Sequence, residues 1–315
     1  MPVLNEERHL AAAVGRVLAQ DYDGELEVLL AVAPSTDRTR EIADELAAAD
    51  PRIVVLDNPT GATPAGLNVG IRAARHDVVV RVDGHGELSD GYISTAVRLL
   101  EETGAANVGG LMDAQGFSPF SEAVAAAYNS KVGLGGGGFH LENTPPGPAE
   151  TVFLGVFRRD VLLELGGFDE TLHRAQDWEL NYRLRQAGHL VYFSPDLKVV
   201  YRPRDTVGAL ARQFYRTGQW RREVVRRYPE TASLRYLAPP VTVLGVGLGL
   251  VIGTLGILLR NRWLTALFAA PVVYLVFVGA ASATASGLSP AARLRLPLVL
   301  VVMHMAWGLG FLRGV

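Results

Sequence analysis

Along the first hundred positions the apolar residues follow two alternating periods. Short β-branched or aliphatic runs at Leu26 to Val32, Ile53 to Leu56 and Val78 to Val82 read as strands. Between them apolar residues return at helical spacing, as in Leu10, Val14, Val17 and Leu18, or Leu67 and Ile71. Helix starts are marked by Asn5, with Glu6 and Glu7 at the positive end, by Ser35-Thr36-Asp37, and by Thr63-Pro64. This β-α alternation predicts an α/β domain with a mostly parallel sheet and helices on both faces. Met1 to Asn5 reads as the end of one more strand, whose first residues are expected upstream of a start codon assigned too late.

The valine run is the centre of the pattern. It reads as a buried parallel strand that ends in Asp83-Gly84-His85-Gly86-Glu87, and ligands of open α/β sheets bind at such an edge. A carboxylate at Asp83 and an imidazole at His85, with glycines between and after them, could reach one ion that holds a diphosphate. The same residues also suit a plain turn begun by Asp83 with His85 in solvent.

Further along, a helix is expected near Asp90 to Glu102, a strand near Asn107 to Met112, and a helix from Phe120 to Lys131. The glycine run Gly133 to Gly138 suits either a loop closing over a substrate or a flexible linker, and no Gly-Lys-Ser/Thr follows it as a phosphate-binding P-loop requires. Glu150 to Arg158 reads as a strand and Gly166 to Glu170 as a turn. In the next helix Leu180 and Leu184 mark the buried face, and Asp177 sits at the start, where it can be a simple cap or a functional carboxylate. From Val207 to Arg227, Leu210, Phe214, Val224 and Val225 share a helix with many arginines, as expected of a helix at a headgroup boundary.

Composition changes this picture after Tyr236, where charges almost vanish. Tyr236 to Leu259, Trp263 to about Ala283, and the shorter Leu296 to Leu312 are apolar enough to cross a bilayer, with a buried helical hairpin as the alternative. Arg221, Arg222, Arg226, Arg227 and Arg235 precede the first run, and Arg293 and Arg295 lie between the second and third. The positive-inside bias then places the N-terminal domain in the cytoplasm. Met1 to Leu10 lacks the apolar core of a signal peptide. With 30 basic against 32 acidic residues, a net charge of -2, no basic field points to nucleic acid, and the absence of cysteine excludes disulfides and thiolate metal sites.

Taken in order, the motifs resemble those of the family 2 glycosyltransferases, above all the membrane-attached bacterial members of the succinoglycan and exopolysaccharide type. The matching pieces are Pro2-Val3-Leu4-Asn5-Glu6, Ser35-Thr36-Asp37-Arg38-Thr39, Gly66-Leu67-Asn68-Val69-Gly70, Asp83-Gly84-His85 in place of Asp-x-Asp, Gly167-Phe168-Asp169-Glu170, Gln176-Asp177-Trp178-Glu179, and Gln213-Phe214-Tyr215-Arg216. They cover about Met1 to Tyr228.

The resemblance implies a GT-A nucleotide-sugar-binding domain, Rossmann-like, over residues 1–205; the charge and hydropathy pattern adds an interfacial helix region over 206–235 and a membrane domain of about three transmembrane helices over 236–315. The resemblance also implies donor contacts at Pro2, Leu4, Asn5, Glu6, Ser35, Asp37, Asn68 and Asp83, and a divalent cation, Mn²⁺ or Mg²⁺, at Asp83 and His85. Asp177 would be the general base of an inverting transfer, with acceptor contacts at Gln176, Trp178, Gln213, Arg216 and Trp220. His85 stands where the family has a second carboxylate, which suits Mn²⁺. Thr217 follows Arg216 and breaks the Gln-x-x-Arg-Trp pattern, so transfer of a single sugar is expected rather than processive polymerisation. Val32-Ala33-Pro34 replaces the family's base-contacting acidic pair.

The reading is a multi-pass enzyme of the bacterial plasma membrane with a cytoplasmic catalytic domain. It moves one sugar from a nucleoside-diphosphate donor to a lipid-linked, polyprenyl-type acceptor in exopolysaccharide or cell-envelope glycan synthesis, alongside other polysaccharide-assembly proteins. Two alternatives stay open: a polyprenyl-phosphate monosaccharide synthase, and a non-catalytic nucleotide-sugar-binding subunit of an export assembly.

Overall fold

The structure, a computed structural model, describes residues 1–135 and 137–315. Three aliphatic strands, β1 (Pro2–Val3), β2 (Val28–Val32) and β3 (Ile53–Asp57), form a parallel sheet in that order. The crossovers are helical, as parallel pairing demands: α1 (Leu10–Leu18) and α2 (Thr39–Ala49). α1 buries Leu10, Ala13, Val14 and Val17, one helical stripe, in a core that includes Leu30, Val32, Tyr92 and Leu100. Asn5 does not cap α1, contrary to expectation. Its backbone is left-handed (φ 55°), and its carboxamide oxygen accepts from the Thr36 amide at 2.8 Å, because the loop after β1 lies against the loop after β2.

α3 (Thr63–Ala73), started by Pro64, leads into β4 (Val78–Val80). There follow β5 (Glu87–Leu88), α4 (Tyr92–Thr103), β6 (Asn107–Ala114), α5 (Pro119–Tyr128), α6 (Lys131–Leu134), β7 (Gly147–Pro148), β8 (Phe153–Arg158), α7 (Arg159–Glu164), α8 (Gln176–Gln186) and β9 (Val191–Tyr201). The second sheet runs β4-β8-β6-β9-β5, with β7 paired to β9. β4 is antiparallel to β8 and only half-buried, so the expectation of a buried parallel strand is corrected here, and the α/β domain is mixed beyond β3. An aliphatic run reports that a strand is covered and is silent on the direction of its neighbour. A cavity of about 480 Å³ lies beside β4, lined by residues of β2, β4 and α3 among them Leu29, Val79 and Ile71.

By compactness the chain divides into two units, Met1–Asp113 with Leu141–Tyr201, and Ala114–His140 with Arg202–Val315. The first unit is the α/β domain. Residues 114–140, placed by the sequence within the 1–205 domain, belong instead with the helices of the second unit.

That second unit contains α5, α6, α9 (Val207–Arg227), α10 (Leu234–Leu258), α11 (Arg262–Thr265), α12 (Ala269–Thr284) and α13 (Pro290–Arg313). Among the described residues three segments are long and apolar enough to cross a membrane: Leu234–Leu258, Arg262–Thr284 and Pro290–Arg313, with mean hydropathy 2.3, 2.2 and 1.6. The third is longer than expected because Ser289 caps it at the Ala292 amide and Pro290 opens it, which adds a turn before Arg293. Glu122 of α5 holds that start by accepting from the Ser289 amide at 2.6 Å and its hydroxyl at 2.7 Å. α9 packs along α13 through small residues: a Cβ on Gly218 would collide with the Trp307 carbonyl, and one on Gly310 with the Tyr215 carbonyl. Within α10, Gly249 lies against Leu267 and Pro271, whereas Gly245 and Gly247 face open space. In the glycine run, Gly133 is inside α6, packed on Ala127, and Gly138 opens a 3₁₀ turn; Gly136 lies outside the described residues.

Replacing Gly218 by Val is expected to overpack the α9–α13 contact and cost about 1–3 kcal/mol. A lowered melting temperature of the detergent-solubilised protein, with earlier proteolysis within α9, checks this; an unchanged melt argues against the close approach.

Candidate functional site

The polar residues that follow β4 collect where the sequence placed them. Val82 is buried in the core, and the residues on either side of it, Arg81 and Asp83, turn toward each other. Nε and Nη2 of Arg81 donate to Asp83 Oδ1 at 3.3 and 3.1 Å. The third arm, Nη1, donates to Asp177 Oδ1, bringing together two carboxylates from opposite ends of the domain. Arg81 is only 6 % exposed, and its amide donates to the Gly155 carbonyl of β8 at 3.1 Å, so backbone and side chain are both fixed. Among the described residues no hydrogen bond reaches Asp83 Oδ2.

On the other side of Asp83 the chain passes very close to the loop after β1. A Cβ on Gly84 would stand 3.0 Å from Glu6 Cγ and 3.1 Å from Val3 Cγ1, which is why glycine separates Asp83 from His85. His85 Nδ1 then lies 2.8 Å from Glu6 Oε1. With the Nδ1 proton donated to this carboxylate, the neutral ring carries its lone pair on Nε2, the tautomer in which an imidazole ligates a metal. The chemistry of Asp83 and His85 therefore fits a divalent cation. Among the described residues no three carboxylate or imidazole side chains converge, so such a cation would need ligands from a diphosphate or water as well.

Other expected donor residues brace the neighbouring loops. Asn5 bonds Thr36, its amide donates to Ser35 Oγ at 3.1 Å, and the Glu6 amide donates to Thr39 Oγ1 at 2.7 Å. Asp37 accepts from Thr39 Oγ1 at 2.5 Å, from the Thr39 amide at 3.1 Å and from the Glu7 amide at 3.2 Å. The Thr39 hydroxyl, followed by these amides, holds the Asp37 carboxyl below the usual range. Pro2 is in β1 opposite Ala31, and Leu4 is exposed.

Three of the expected site residues are buried. Asn68 is buried, and its whole carboxamide is committed to the 167–170 turn. It donates to the Phe168 carbonyl and to Glu170 Oε1, both at 2.8 Å, and accepts from the Phe168 amide at 2.8 Å. Gly167, at φ 73° and with Asn68 Oδ1 where its Cβ would be, can only be glycine. Gln176 and Trp178, expected at an acceptor pocket, are buried; Trp178 stacks on Tyr182 with ring centres 5.6 Å apart, because so large an apolar surface is better covered than exposed.

α8 positions Asp177 through residues the sequence reading passed over. Buried Glu179 accepts from Arg183 at 2.6 and 2.9 Å, and Arg183 also donates to the carbonyls of Leu165 at 2.8 Å and Gly167 at 2.7 Å. Asn68 fixes the same turn, so α3, the turn and α8 form one framework. At the head of α8, Ala175 is left-handed (φ 62°), a strained conformation that turns the chain into the helix one residue before Gln176. Asp177, half exposed in the first turn, sits at the positive end of the helix dipole. A buried arginine in a valine run was the one signal that could have revealed Arg81, since a buried charge must find a partner. Gln213, Arg216 and Trp220 lie on α9 in the second unit, Arg216 exposed and the other two half-buried.

Comparison with known proteins adds four findings. The family description Glycosyl transferase family 2 matches residues 1–164. The chain is 32 % identical over 321 residues to the succinoglycan biosynthesis protein ExoA of Rhizobium meliloti (strain 1021), covering 99 % of this chain and 93 % of that one. It is 34 % identical over 104 residues to the uncharacterized glycosyltransferase EpsJ of Bacillus subtilis (strain 168), covering 32 % of this chain and 28 % of EpsJ. Among solved structures it superimposes on the mannosyltransferase PcManGT from Pyrobaculum calidifontis in complex with GDP-Man and Mn²⁺, with a TM-score of 0.57 and 19 % identity over 96 % of this chain and 84 % of that one, a likeness of GT-A fold.

Two outcomes test this framework. Asn68→Ala leaves the Phe168 amide without its partner and should cost about 1–3 kcal/mol of stability, read from thermal or urea melts. Asp37 has a folded pKa below its unfolded value of about 4, so its contribution is complete above that value and is lost as pH falls through the lower one. Asp37→Asn should flatten stability against pH between about 5 and 3; an unchanged slope argues against this lock.

Proposed function

The chain belongs to glycosyltransferase family 2, and from that premise we propose that it is a membrane-anchored, inverting glycosyltransferase of exopolysaccharide synthesis. It moves a single sugar from a nucleoside-diphosphate donor to a lipid-linked acceptor. The observation that carries this reading is the meeting of Asp83 and Asp177, distant from each other in sequence, on one guanidinium. An inverting transfer needs a donor-side carboxylate and a base close together, and this domain supplies both.

In the proposed reaction the donor diphosphate lies at the end of β4, among the loops that carry Asn5, Glu6, Ser35, Asp37 and Asp83. Asp83 and His85 hold a divalent cation, Mn²⁺ or Mg²⁺, with His85 oriented by Glu6. Such a cation offsets the charge that develops on the departing diphosphate. Asp177 accepts the proton of the acceptor hydroxyl as that oxygen attacks the anomeric carbon. The bond between that carbon and the diphosphate oxygen breaks, and the configuration inverts. The sites for Gln213, Arg216 and Trp220 on α9 precede the first apolar helix, a suitable place for a polyprenyl-type lipid to be met. By the positive-inside bias, the arginines before Leu234–Leu258 favour a multi-pass protein with its catalytic domain in the cytoplasm.

The test is transfer from radiolabelled UDP-, GDP- and dTDP-sugars into membrane lipid with Mn²⁺, wild type beside Asp177→Asn. One donor is expected to label lipid with the wild type, and Asp177→Asn to reduce this by about 10²-fold or more. Equal labelling by the variant removes Asp177 as the base; equal labelling of a water-soluble acceptor removes the lipid.

A further inference from the structure

Arg81 is a charge buried in a run of valines, at the one place where the two functional carboxylates meet. Its two sides are bonded unequally. Toward Asp83 it makes two contacts, 3.3 and 3.1 Å, to a single oxygen, instead of the paired two-oxygen fork by which arginine holds a carboxylate most firmly. Toward Asp177 it makes one contact, from Nη1 to Oδ1. Asp177 has no other side-chain bond among the described residues that would fix its direction, and at 41 % exposure it is otherwise free to rotate into solvent. The backbone of Arg81, by contrast, is fixed to Gly155 at 3.1 Å.

We propose that Arg81 is the positioning residue of the transfer: it holds Asp177 in place through Nη1 and yields Asp83 to the incoming cation. This rests on the proposed role of Asp83 and Asp177. A guanidinium 3.1 Å from Asp83 Oδ1 opposes a cation bound at that carboxylate, because like charges repel strongly at short range. That repulsion acts on the Asp83 contact, which is the one released, whereas the Asp177 contact persists and keeps the base directed at the acceptor. Asp83 thus answers to the cation and Asp177 to Arg81, and one side chain links the two events.

The test compares wild type, Arg81→Met, Arg81→Lys, Asp177→Asn and the double variant Arg81→Met/Asp177→Asn, each full-length in detergent. Mn²⁺ alone is titrated by electron paramagnetic resonance, and sugar transfer is followed as kcat and KM. Arg81→Met should bind Mn²⁺ about 5-fold or more tighter, the low end of ordinary coupling between sites. It should lower kcat about 10²-fold with donor KM changed less than about 3-fold, and add little to the loss already caused by Asp177→Asn, since two residues acting as one unit are not additive. Arg81→Lys keeps the buried charge but reaches only one carboxylate, so it should fold like the wild type and still lose kcat. This second variant decides the matter if Arg81→Met does not fold. Weaker or unchanged Mn²⁺ binding in Arg81→Met, or multiplicative losses in the double variant, overturn the proposal, as does full activity in Arg81→Lys. A wild type that transfers no sugar defeats the functional reading by itself, and the Mn²⁺ arm then decides the role of Arg81: tighter binding in Arg81→Met sustains its competition with the cation, unchanged or weaker binding overturns it.

Discussion

A buried guanidinium cannot be left without counter-charge, and in this protein that requirement organises the α/β domain around Arg81. Each of its three nitrogens donates to a carboxylate, and these carboxylates come from the residue two positions further along the chain and from the head of α8. Asp83 reaches it by ordinary alternation along an extended segment. Asp177 reaches it only because α8 is held at one place and angle, by Glu179 and Arg183 against the 165–170 turn and by Asn68 from α3. If that framework loosened, the guanidinium would lose a partner in a low-dielectric interior, which is costly. The demand for neutrality and the proposed chemistry therefore pull in the same direction.

The donor side is built by close backbone approach. Gly84 lets the end of β4 lie against Val3 and Glu6, and the loops after β1 and β2 are tied together by Asn5, Ser35, Asp37 and Thr39. Much of what looks like ligand-binding polarity in these loops is engaged in holding the loops themselves. This explains why Asn68, a polar residue in a matching motif, is a brace, while Glu6 serves the site at one remove by orienting His85.

In the helical unit, with three segments long and apolar enough to cross a membrane, the constraint differs, because a bilayer would offer no hydrophobic gain for bringing apolar helices together. Close packing and polar ties supply the specificity: Gly218 and Gly310 let α9 and α13 touch backbone to backbone, Gly308 does so against α10, and Glu122 caps the start of α13. Residues 114–140 join this unit for the same reason, since α5 packs against α13 and buries a face rich in alanine, with Ala123, Ala125 and Ala127.

The sequence by itself determined the strand-helix order of the first hundred residues, the Asp83-Gly84-His85 corner, the helix that carries Asp177 in its first turn and the three apolar segments, since each depends on periodicity, turn chemistry or hydropathy within a short window. Even the anomaly of Arg81 was visible there, as a charge in a valine run, though not its partners. Only the tertiary structure decided that β4 runs antiparallel to β8, that Asn68, Gln176 and Trp178 are buried, that residues 114–140 join the helical unit, and that one guanidinium links Asp83 to Asp177. Those facts turn on which distant segments meet. A local pattern records whether a side chain will be covered, and the identity of what covers it is settled only when the whole chain packs.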